Sequence, residues 1–144
     1  MTGPTRHQVR LQRTSTGNYL ATNAAGVELP VGLAEEHFSP VELLLAAIGA
    51  CSAIDVDVVT SRRGEPEGFE VEVGGEKFVD DEGGTRLREL EVDFRVVFGD
   101  DERGRQAAGL VERLVRLSQE RDCTVSRTVE HATPVTMRVS EPGS

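Results

Sequence analysis

The feature that most limits the possible folds is a long apolar segment at residues 39–59. Ser39 suits the N-cap of a helix, Pro40 suits its first turn, and Glu42, three residues after Ser39, completes a capping box. From residue 43 to residue 51 every residue is apolar or glycine, so no face of this helix suits water. The run is far shorter than the roughly 20 residues that a bilayer needs. We therefore predict a central core helix and no membrane span.

The other segments predict an α+β fold with antiparallel sheets. Short alternating runs separated by Gly and Asn turns predict a strand meander within residues 7–31. Residues 69–73, followed by a short run at 77–79, and residues 87–98 alternate apolar with charged side chains, which predicts half-exposed antiparallel strands joined by an acidic hairpin. Apolar residues three and four positions apart predict an amphipathic second helix within residues 100–121, and residues 134–139 predict a final strand. The 144 residues then form a single domain, with antiparallel sheets around a central buried helix.

The first helix also predicts an oligomer. A helix that is apolar on every face needs cover on every side. One layer of sheet and one amphipathic helix do not supply that cover within one chain. We therefore expect a homodimer in which the first helix packs near the subunit boundary.

The charge balance argues against nucleic acid as a partner. The chain carries 16 basic and 25 acidic residues, for a net charge of −9, which disfavours binding to a phosphate backbone. It has five Phe, one Tyr and no Trp, which leaves few side chains on which bases could stack. We expect neither a nucleic-acid partner nor a membrane.

The chain has two cysteines, Cys51 in the apolar helix and Cys123 just after the second helix. We see no charged start followed by an apolar run, which is the pattern of a signal peptide, so we expect a cytoplasmic protein. In that compartment a persistent cysteine pair tends to be a metal site or a redox centre. A metal is not expected, because neither cysteine is flanked by another and the three histidines, His7, His37 and His131, are scattered.

The residues alone leave the role of these thiols open. A cysteine among Ala, Gly, Ile and Leu is commonly a small buried hydrophobe without chemistry. The alternative is that Cys51 and Cys123 meet in the fold as a redox pair. The distance between their sulfurs decides between the two, since a disulfide needs Cα atoms within about 7 Å.

Two motifs resemble those of one family, that of osmotically inducible protein C (OsmC) and the organic hydroperoxide resistance (Ohr) proteins. Residues 39–56, SPVELLLAAIGACSAIDV, are similar to the family's first-cysteine helix, and residues 123–129, CTVSRTV, resemble its second-cysteine segment. The order of elements agrees over nearly the whole chain. The resemblance implies an intertwined homodimer with active sites at the dimer interface, which reduces organic and, more weakly, inorganic hydroperoxides without a metal or haem. The implied reductant is an external dithiol, such as a lipoyl group or a lipoyl-protein.

The resemblance also implies a role for each thiol. Cys51 is the peroxidatic cysteine, which attacks the peroxide as a thiolate and becomes a sulfenic acid. Cys123 is the resolving cysteine, which condenses with that sulfenic acid to form a disulfide that a dithiol reopens. Because burial raises the pKa of a thiol, the hydroperoxide resistance members place an Arg, held by a helix Glu, beside the first cysteine.

The chain departs from that pattern at both of these positions. Val41 occupies the place of the acidic residue, and Glu42 follows one position later, where a capping role and a catalytic role are both open. The loop at residues 14–19 lacks the expected Arg, for which Arg10 or Arg13 is an alternative.

Two more charged residues lie near the cysteines in sequence. Asp55, one helical turn after Cys51, favours a protonated thiol. Arg127, four residues after Cys123, is a cation within the second motif. The departures place the chain nearer the less characterised members of the family.

We predict a thiol peroxidase that acts on organic hydroperoxides in oxidative-stress defence, with Cys51, Cys123 and Glu42 as its site residues. The alternative is a non-catalytic module that responds to redox state or binds an apolar ligand. A third possibility is an apolar core with two inert cysteines. Consumption of peroxide with a dithiol separates the first possibility from the second, and resistance of both thiols to alkylation identifies the third.

Overall fold

The computed structural model describes residues 3–140 and residue 142. Its chain begins with a three-stranded antiparallel sheet, which confirms the predicted meander. The strands follow one another in the order in which they pair, β1 (Val9–Ser15), β2 (Asn18–Asn23) and β3 (Glu28–Gly32).

The long helix α1 (Pro40–Thr60) follows the first sheet. The backbone N–H of Ser39 donates to Glu42 Oε1 at 2.8 Å, and the N–H of Glu42 donates to Ser39 Oγ at 3.1 Å. These reciprocal bonds satisfy two N–H groups that would otherwise lack a partner at the start of the helix. The predicted capping box is confirmed.

Two long antiparallel strands, β4 (Gly68–Val79) and β5 (Thr85–Val97), form a second sheet. The predicted alternation is confirmed, because their charged residues are exposed while the apolar residues between them are half-buried. Phe69 and Phe94 meet edge to face on the apolar side, with ring centroids 6.4 Å apart. A register shift between Gly74 and Glu76 lets β4 continue as one strand.

The β4–β5 turn is held by the carboxylate of Asp80. Its Oδ1 accepts from the N–H groups of Glu82 and Gly84, both at 3.0 Å, and Arg86 Nε lies 3.2 Å from its Oδ2. The bond from Gly84 is the largest cause that lowers the pKa of Asp80, and the bonds from Glu82 and Arg86 act in the same direction.

The lowered pKa makes the turn sensitive to acid. A carboxyl group whose pKa is lower in the folded state stabilises the protein above its unfolded pKa, and this contribution is lost as the pH falls through the folded pKa. We expect Asp80→Asn to lower the free energy of unfolding at neutral pH and to have a smaller effect near about pH 2, because the contribution of the carboxylate is lost as the pH falls through its lowered pKa. Urea unfolding at the two pH values measures the difference. Asp81→Asn removes the same charge from a side chain with no hydrogen bond in the described part of the chain, and an equal loss there would contradict the assignment.

The predicted second helix is divided into shorter elements. Helix α2 (Glu102–Ala108) ends at Gly109, a residue with low helix propensity, and α3 (Val111–Leu117) follows. A π-helical turn (Ser118–Asp122) then continues α3 up to Cys123. The segment after Cys123 forms a further helix, α4 (Thr124–Glu130), which we did not predict from its Thr- and Val-rich sequence.

The predicted final strand at residues 134–139 is wrong. These residues have no regular secondary structure, and Met137 and Val139 are 88% and 101% exposed. A strand needs a neighbour that accepts and donates its backbone hydrogen bonds. The described part of this chain provides no such neighbour for the segment.

The burial of α1 is less complete than its sequence predicts. Its buried residues follow one stripe, Ile48, Gly49, Ser52, Val56 and Thr60. On other faces Ile54 and Val58 are 60% and 52% exposed.

Helix α1 is also long and apolar enough to cross a membrane. The helix has 21 residues, and an 18-residue window within it has a mean hydropathy of 1.9. The apolar segment is therefore longer than the run at residues 43–51 indicated. A single helix of this kind is weak support for a span, because core helices of soluble proteins share these properties.

The chain divides into two compact units, Met1–Ala46 and Ala47–Ser144, with the boundary inside α1. In the second unit Val56, Ala107 and Cys123 are completely buried. The single domain remains a prediction.

Candidate active site

The fold brings the two cysteines together. Cys51 lies in the middle of α1, and Cys123 lies between the π-helical turn and α4. Their sulfurs and a carboxylate oxygen of Asp55 all lie within 4.8 Å of one another, and both thiols are free. The disulfide length is about 2.0 Å, so a local movement of the side chains would join the sulfurs.

Cys123 is the more buried and the better hydrogen-bonded thiol. It is completely buried and caps the N-terminus of α4, where its sulfur accepts from the N–H of Ser126 at 3.4 Å. The hydroxyl of Ser52 donates to the same sulfur at 3.4 Å, and Ser126 Oγ lies 3.2 Å from it. Three polar groups therefore surround this sulfur in an otherwise apolar region.

These contacts shift the pKa values of the two thiols in opposite directions. Burial acts to raise the pKa of Cys123, but the hydrogen bonds from Ser126, Ser52 and Cys51 together outweigh it and lower that pKa. Burial raises the pKa of Cys51, and the neighbouring Cys123 and Asp55 raise it further, while the N–H of Val125 partly offsets them. These directions favour Cys123 over Cys51 as the thiol that carries a negative charge.

Replacing a donor tests this distribution of charge. We expect Ser126→Ala to raise the pKa of Cys123, because it removes one donor to the thiolate while keeping the backbone N–H of that residue. The measurement is the ultraviolet absorbance of the thiolate against pH, in a Cys51→Ser background and with a chelator present. Ser61→Ala is the control, since the hydroxyl of Ser61 bonds to Asp57 instead. Equal titration midpoints in the Ser126→Ala and Ser61→Ala variants would show that Ser126 Oγ does not stabilise the charge.

Asp55 is held in place by the π-helical turn. The hydroxyl of Ser118, the first residue of that turn, donates to Asp55 Oδ2 at 2.7 Å. No ion pair in the described part of the chain includes Asp55. The carboxylate therefore lies beside the sulfurs with a hydroxyl donor and without a paired cation.

A cavity of about 770 Å³ is lined by residues that contact Cys123, but neither cysteine is part of its wall. Ser52 and Ser126, the two hydroxyl residues that contact the Cys123 sulfur, both line it. Much of the remaining wall comes from apolar side chains of α1, the second sheet, α3 and α4, namely Ile48, Leu90, Val92, Phe94, Val115 and Val129. The acidic residues Glu72, Glu91, Asp93 and Glu130 also contribute to the wall.

The charged residues proposed from the sequence have other partners. Glu42 lies in the first turn of α1 and accepts from the Ser39 N–H, so its capping role is confirmed and its catalytic role remains a prediction. Arg127 donates to the carbonyl oxygen of Glu120, and Arg13 donates to Thr16 Oγ1. Neither bond links an arginine to a thiol.

Sequence reasoning missed three hydroxyl residues of the site. Ser52 directly follows Cys51, and Ser126 stands three residues after Cys123, the spacing at which an N-cap receives its hydrogen bond. That spacing was a usable signal for Ser126. Ser118 had none, because its approach to Asp55 depends on how α1 meets the end of α3.

Comparisons with known proteins agree with the fold. A family model described as OsmC-like protein matches residues 33–138. An uncharacterised protein of Mycobacterium tuberculosis (strain H37Rv) is 31% identical over 141 residues, which cover 95% of this chain and 98% of that protein.

Two solved structures extend the comparison. A hypothetical protein from Aquifex aeolicus VF5 shares 27% identity and a TM-score of 0.72, over 90% of this chain and 91% of its own. The organic hydroperoxide resistance protein OhrB of Bacillus subtilis has the same fold at 18% identity and a TM-score of 0.56, over 86% of this chain and 90% of its own.

Proposed function

The chain belongs to the OsmC-like family, and we propose that it is a thiol-dependent peroxidase in which Cys51 and Cys123 reduce organic hydroperoxides and, more weakly, inorganic ones. The observation that supports this most directly is the approach of the two sulfurs to within 4.8 Å in a partly buried site. The hydrogen bonds of one of these sulfurs to Ser52 and Ser126 also favour a chemical role over two inert cysteines.

The burial and hydrogen bonding of the two cysteines suggest a different role for each. Cys51 is half-buried and so more open to a substrate, whereas Cys123 is fully buried and holds the charge. In our proposal Cys123 accepts the proton of Cys51 as the Cys51 sulfur attacks the terminal peroxide oxygen. The O–O bond breaks, Cys51 becomes a sulfenic acid, and the alkoxide takes the proton from Cys123 and leaves as an alcohol.

The second half of the cycle forms and reopens the disulfide. The Cys123 thiolate attacks the sulfenic sulfur of Cys51, an S–S bond forms, and hydroxide leaves and is protonated to water. An external dithiol then reduces the disulfide and is itself oxidised. We propose a lipoyl group or lipoyl-protein as this reductant, since such a dithiol closes a ring when it is oxidised and needs no bound cofactor.

The cavity next to Cys123 supports an organic substrate. Its apolar wall would bind the hydrocarbon part of a hydroperoxide, while Ser52 and Ser126 lie at the sulfur end. An apolar group that leaves water for such a wall gains about 25 cal/mol per Å². Hydrogen peroxide has no such group, so we propose that it is the poorer substrate.

We also propose an oligomeric state and a cellular compartment for this activity. The exposed apolar residues of α1, such as Ile54 and Val58, support a homodimer in which a second copy covers this helix. We propose a cytoplasmic protein of oxidative-stress defence, because a reduced thiol pair needs a reducing compartment.

The test is peroxide consumption by the purified protein with dihydrolipoamide as the reductant. We expect catalytic consumption of cumene hydroperoxide and slower consumption of hydrogen peroxide. A protein whose thiols oxidise reversibly but consume no more than one equivalent of peroxide is not a peroxidase.

That second outcome would identify the alternative function, a redox-responsive module. One observation favours it, namely that Asp55 and burial raise the pKa of Cys51 and so slow its reaction as a thiolate. In that case the function would be the structural change that disulfide formation causes, and not the catalytic consumption of peroxide.

A further inference from the structure

We propose that the reduced cluster of Cys51, Asp55 and Cys123 binds a thiophilic divalent cation, of which Zn²⁺ is the best fit. The cluster offers two sulfurs and one carboxylate oxygen, all within 4.8 Å of one another. This set of donors is typical of zinc sites, which combine thiolate, imidazole and carboxylate ligands. Cys51 and Asp55 are four residues apart, but Cys123 lies 72 residues after Cys51 (123 minus 51), which is why the spacing did not indicate a metal site.

The distances fit a tetrahedral ion with little movement. Zn–S bonds of about 2.3 Å and Zn–O bonds of about 2.0 Å place tetrahedral ligands about 3.5–3.8 Å apart. The donors of the cluster therefore need to approach one another by about 1.3 Å at most. Cys51 and Asp55 are one turn apart on the same face of α1, so rotations of these two side chains can bring their donor atoms closer.

The groups around the donors would orient them for a cation. Ser118 donates to Asp55 Oδ2 and leaves the other carboxylate oxygen free to coordinate. Ser52 and the N–H of Ser126 donate to the Cys123 sulfur, as outer groups commonly do to metal-bound thiolates. A set of ligands that is already held in this way loses less freedom when the ion binds.

The charge of the cluster also favours a cation. The ion pairs in the described part of the chain all join Arg to Asp or Glu, and none includes Asp55. A divalent ion would supply the missing positive charge. Sulfur ligands favour Zn²⁺ over Mg²⁺ or Ca²⁺, which bind oxygen.

The site would be open at one position and depend on redox state. Three protein ligands leave the fourth position of a tetrahedral ion to solvent, and the partial exposure of Cys51 gives the ion a route in. A disulfide between Cys51 and Cys123 would leave neither sulfur available as a ligand. Cation binding and oxidation of the pair are therefore mutually exclusive, and a bound Zn²⁺ would protect the thiols from peroxide.

The test uses Co²⁺ as a spectroscopic substitute for Zn²⁺, added to the reduced full-length protein without peroxide. We expect a thiolate-to-cobalt charge-transfer band whose intensity corresponds to two sulfurs, together with the strong visible bands of a tetrahedral ion. Zn²⁺ should remove both sets of bands by displacement. Cys51→Ser and Cys123→Ser should each lose about half of the charge-transfer intensity. A spectrum with one sulfur or none would overturn the proposal.

Asp55→Asn tests the third ligand, with Asp57→Asn as its matched control. Asp57 lies on the same helix and has the same charge, but it accepts from Ser61. We expect Asp55→Asn to weaken Zn²⁺ binding about 10-fold or more and Asp57→Asn to leave it unchanged. Equal affinities in the two variants would overturn the three-ligand site. Thermal unfolding of each variant separates a lost ligand from a lost fold, and because no peroxide is involved, the result stands apart from the proposed peroxidase activity.

Discussion

Cys51→Ser is expected to abolish the catalytic consumption of organic hydroperoxide. A serine hydroxyl has a far higher pKa than a thiol and does not form a sulfenic acid, so the first step has no substitute. The sulfur of Cys123 lies within 4.8 Å of the Cys51 sulfur, but Cys123 is fully buried. In this variant it also has no second thiol with which to form a disulfide. The measurement is steady-state peroxide loss with dihydrolipoamide in excess.

Cys123→Ser is expected to behave differently. Cys51 should react about once per chain and stop as a sulfenic or more oxidised species, because the partner that forms the disulfide is missing. Mass spectrometry after trapping with dimedone identifies the oxidised residue. If dimedone labels Cys123 in the Cys51→Ser protein as fast as it labels Cys51 in the Cys123→Ser protein, the proposed order of attack is contradicted. Ser61→Ala, away from the sulfurs at the end of α1, is the control and should keep full turnover.

Gly49→Ala is expected to destabilise the fold although it improves helix propensity. Gly49 is buried in the stripe of α1, and a Cβ at this position would lie 2.5 Å from Val73 Cγ2 on β4. Ala gains about 1 kcal/mol over Gly in a helix, but forcing an extra carbon into a packed contact typically costs about 1–3 kcal/mol. We expect a net loss of about 1 kcal/mol in the free energy of unfolding, measured by urea denaturation.

Two further variants separate the steric effect from the conformational one. Gly109 has φ −67°, and a Cβ there would meet only ordinary contacts at 3.5 Å, so Gly109→Ala should be neutral or slightly stabilising. Val73→Ala removes the opposing methyl groups. If the contact is the cause, the double variant Gly49→Ala/Val73→Ala will be more stable than the sum of the single effects predicts. Simple additivity would mean that α1 and β4 do not meet at this point.

The sequence predicted the elements whose signals are local. The capping box of Ser39 and Glu42 involves residues three apart, and the alternation of β4 and β5 is a property of each strand by itself. The segments that failed depend on neighbours distant in sequence. Residues 134–139 alternate as a strand should, but alternation does not supply a pairing partner, and α4 takes its first turn from the cap that Cys123 provides.

The candidate site was predictable only in part, for a related reason. Spacing did not place Cys51 beside Cys123, and the expectation that they meet came from the resemblance of two motifs to a known family. The position of Asp55 one turn after Cys51 was visible in the sequence, but its bond to Ser118 was not. The raised pKa of Cys51 agrees with the burial and the nearby Asp55 that the sequence indicated. The lowered pKa of Cys123 depends on hydrogen bonds from Ser126 and Ser52, and the bond from Ser52 could not be read from the sequence.

The π-helical turn at Ser118–Asp122 gives this part of the chain one place where its length can change. Such a turn contains one residue more than an α-helical turn, so loss of a single residue here would restore regular winding and leave Cys123 and α4 on the same side of the helix axis. Loss of a residue within α3 would instead rotate everything after it by about 100° around the axis. We therefore expect homologous chains that keep the cysteine pair to differ by one residue in the turn more readily than in α3.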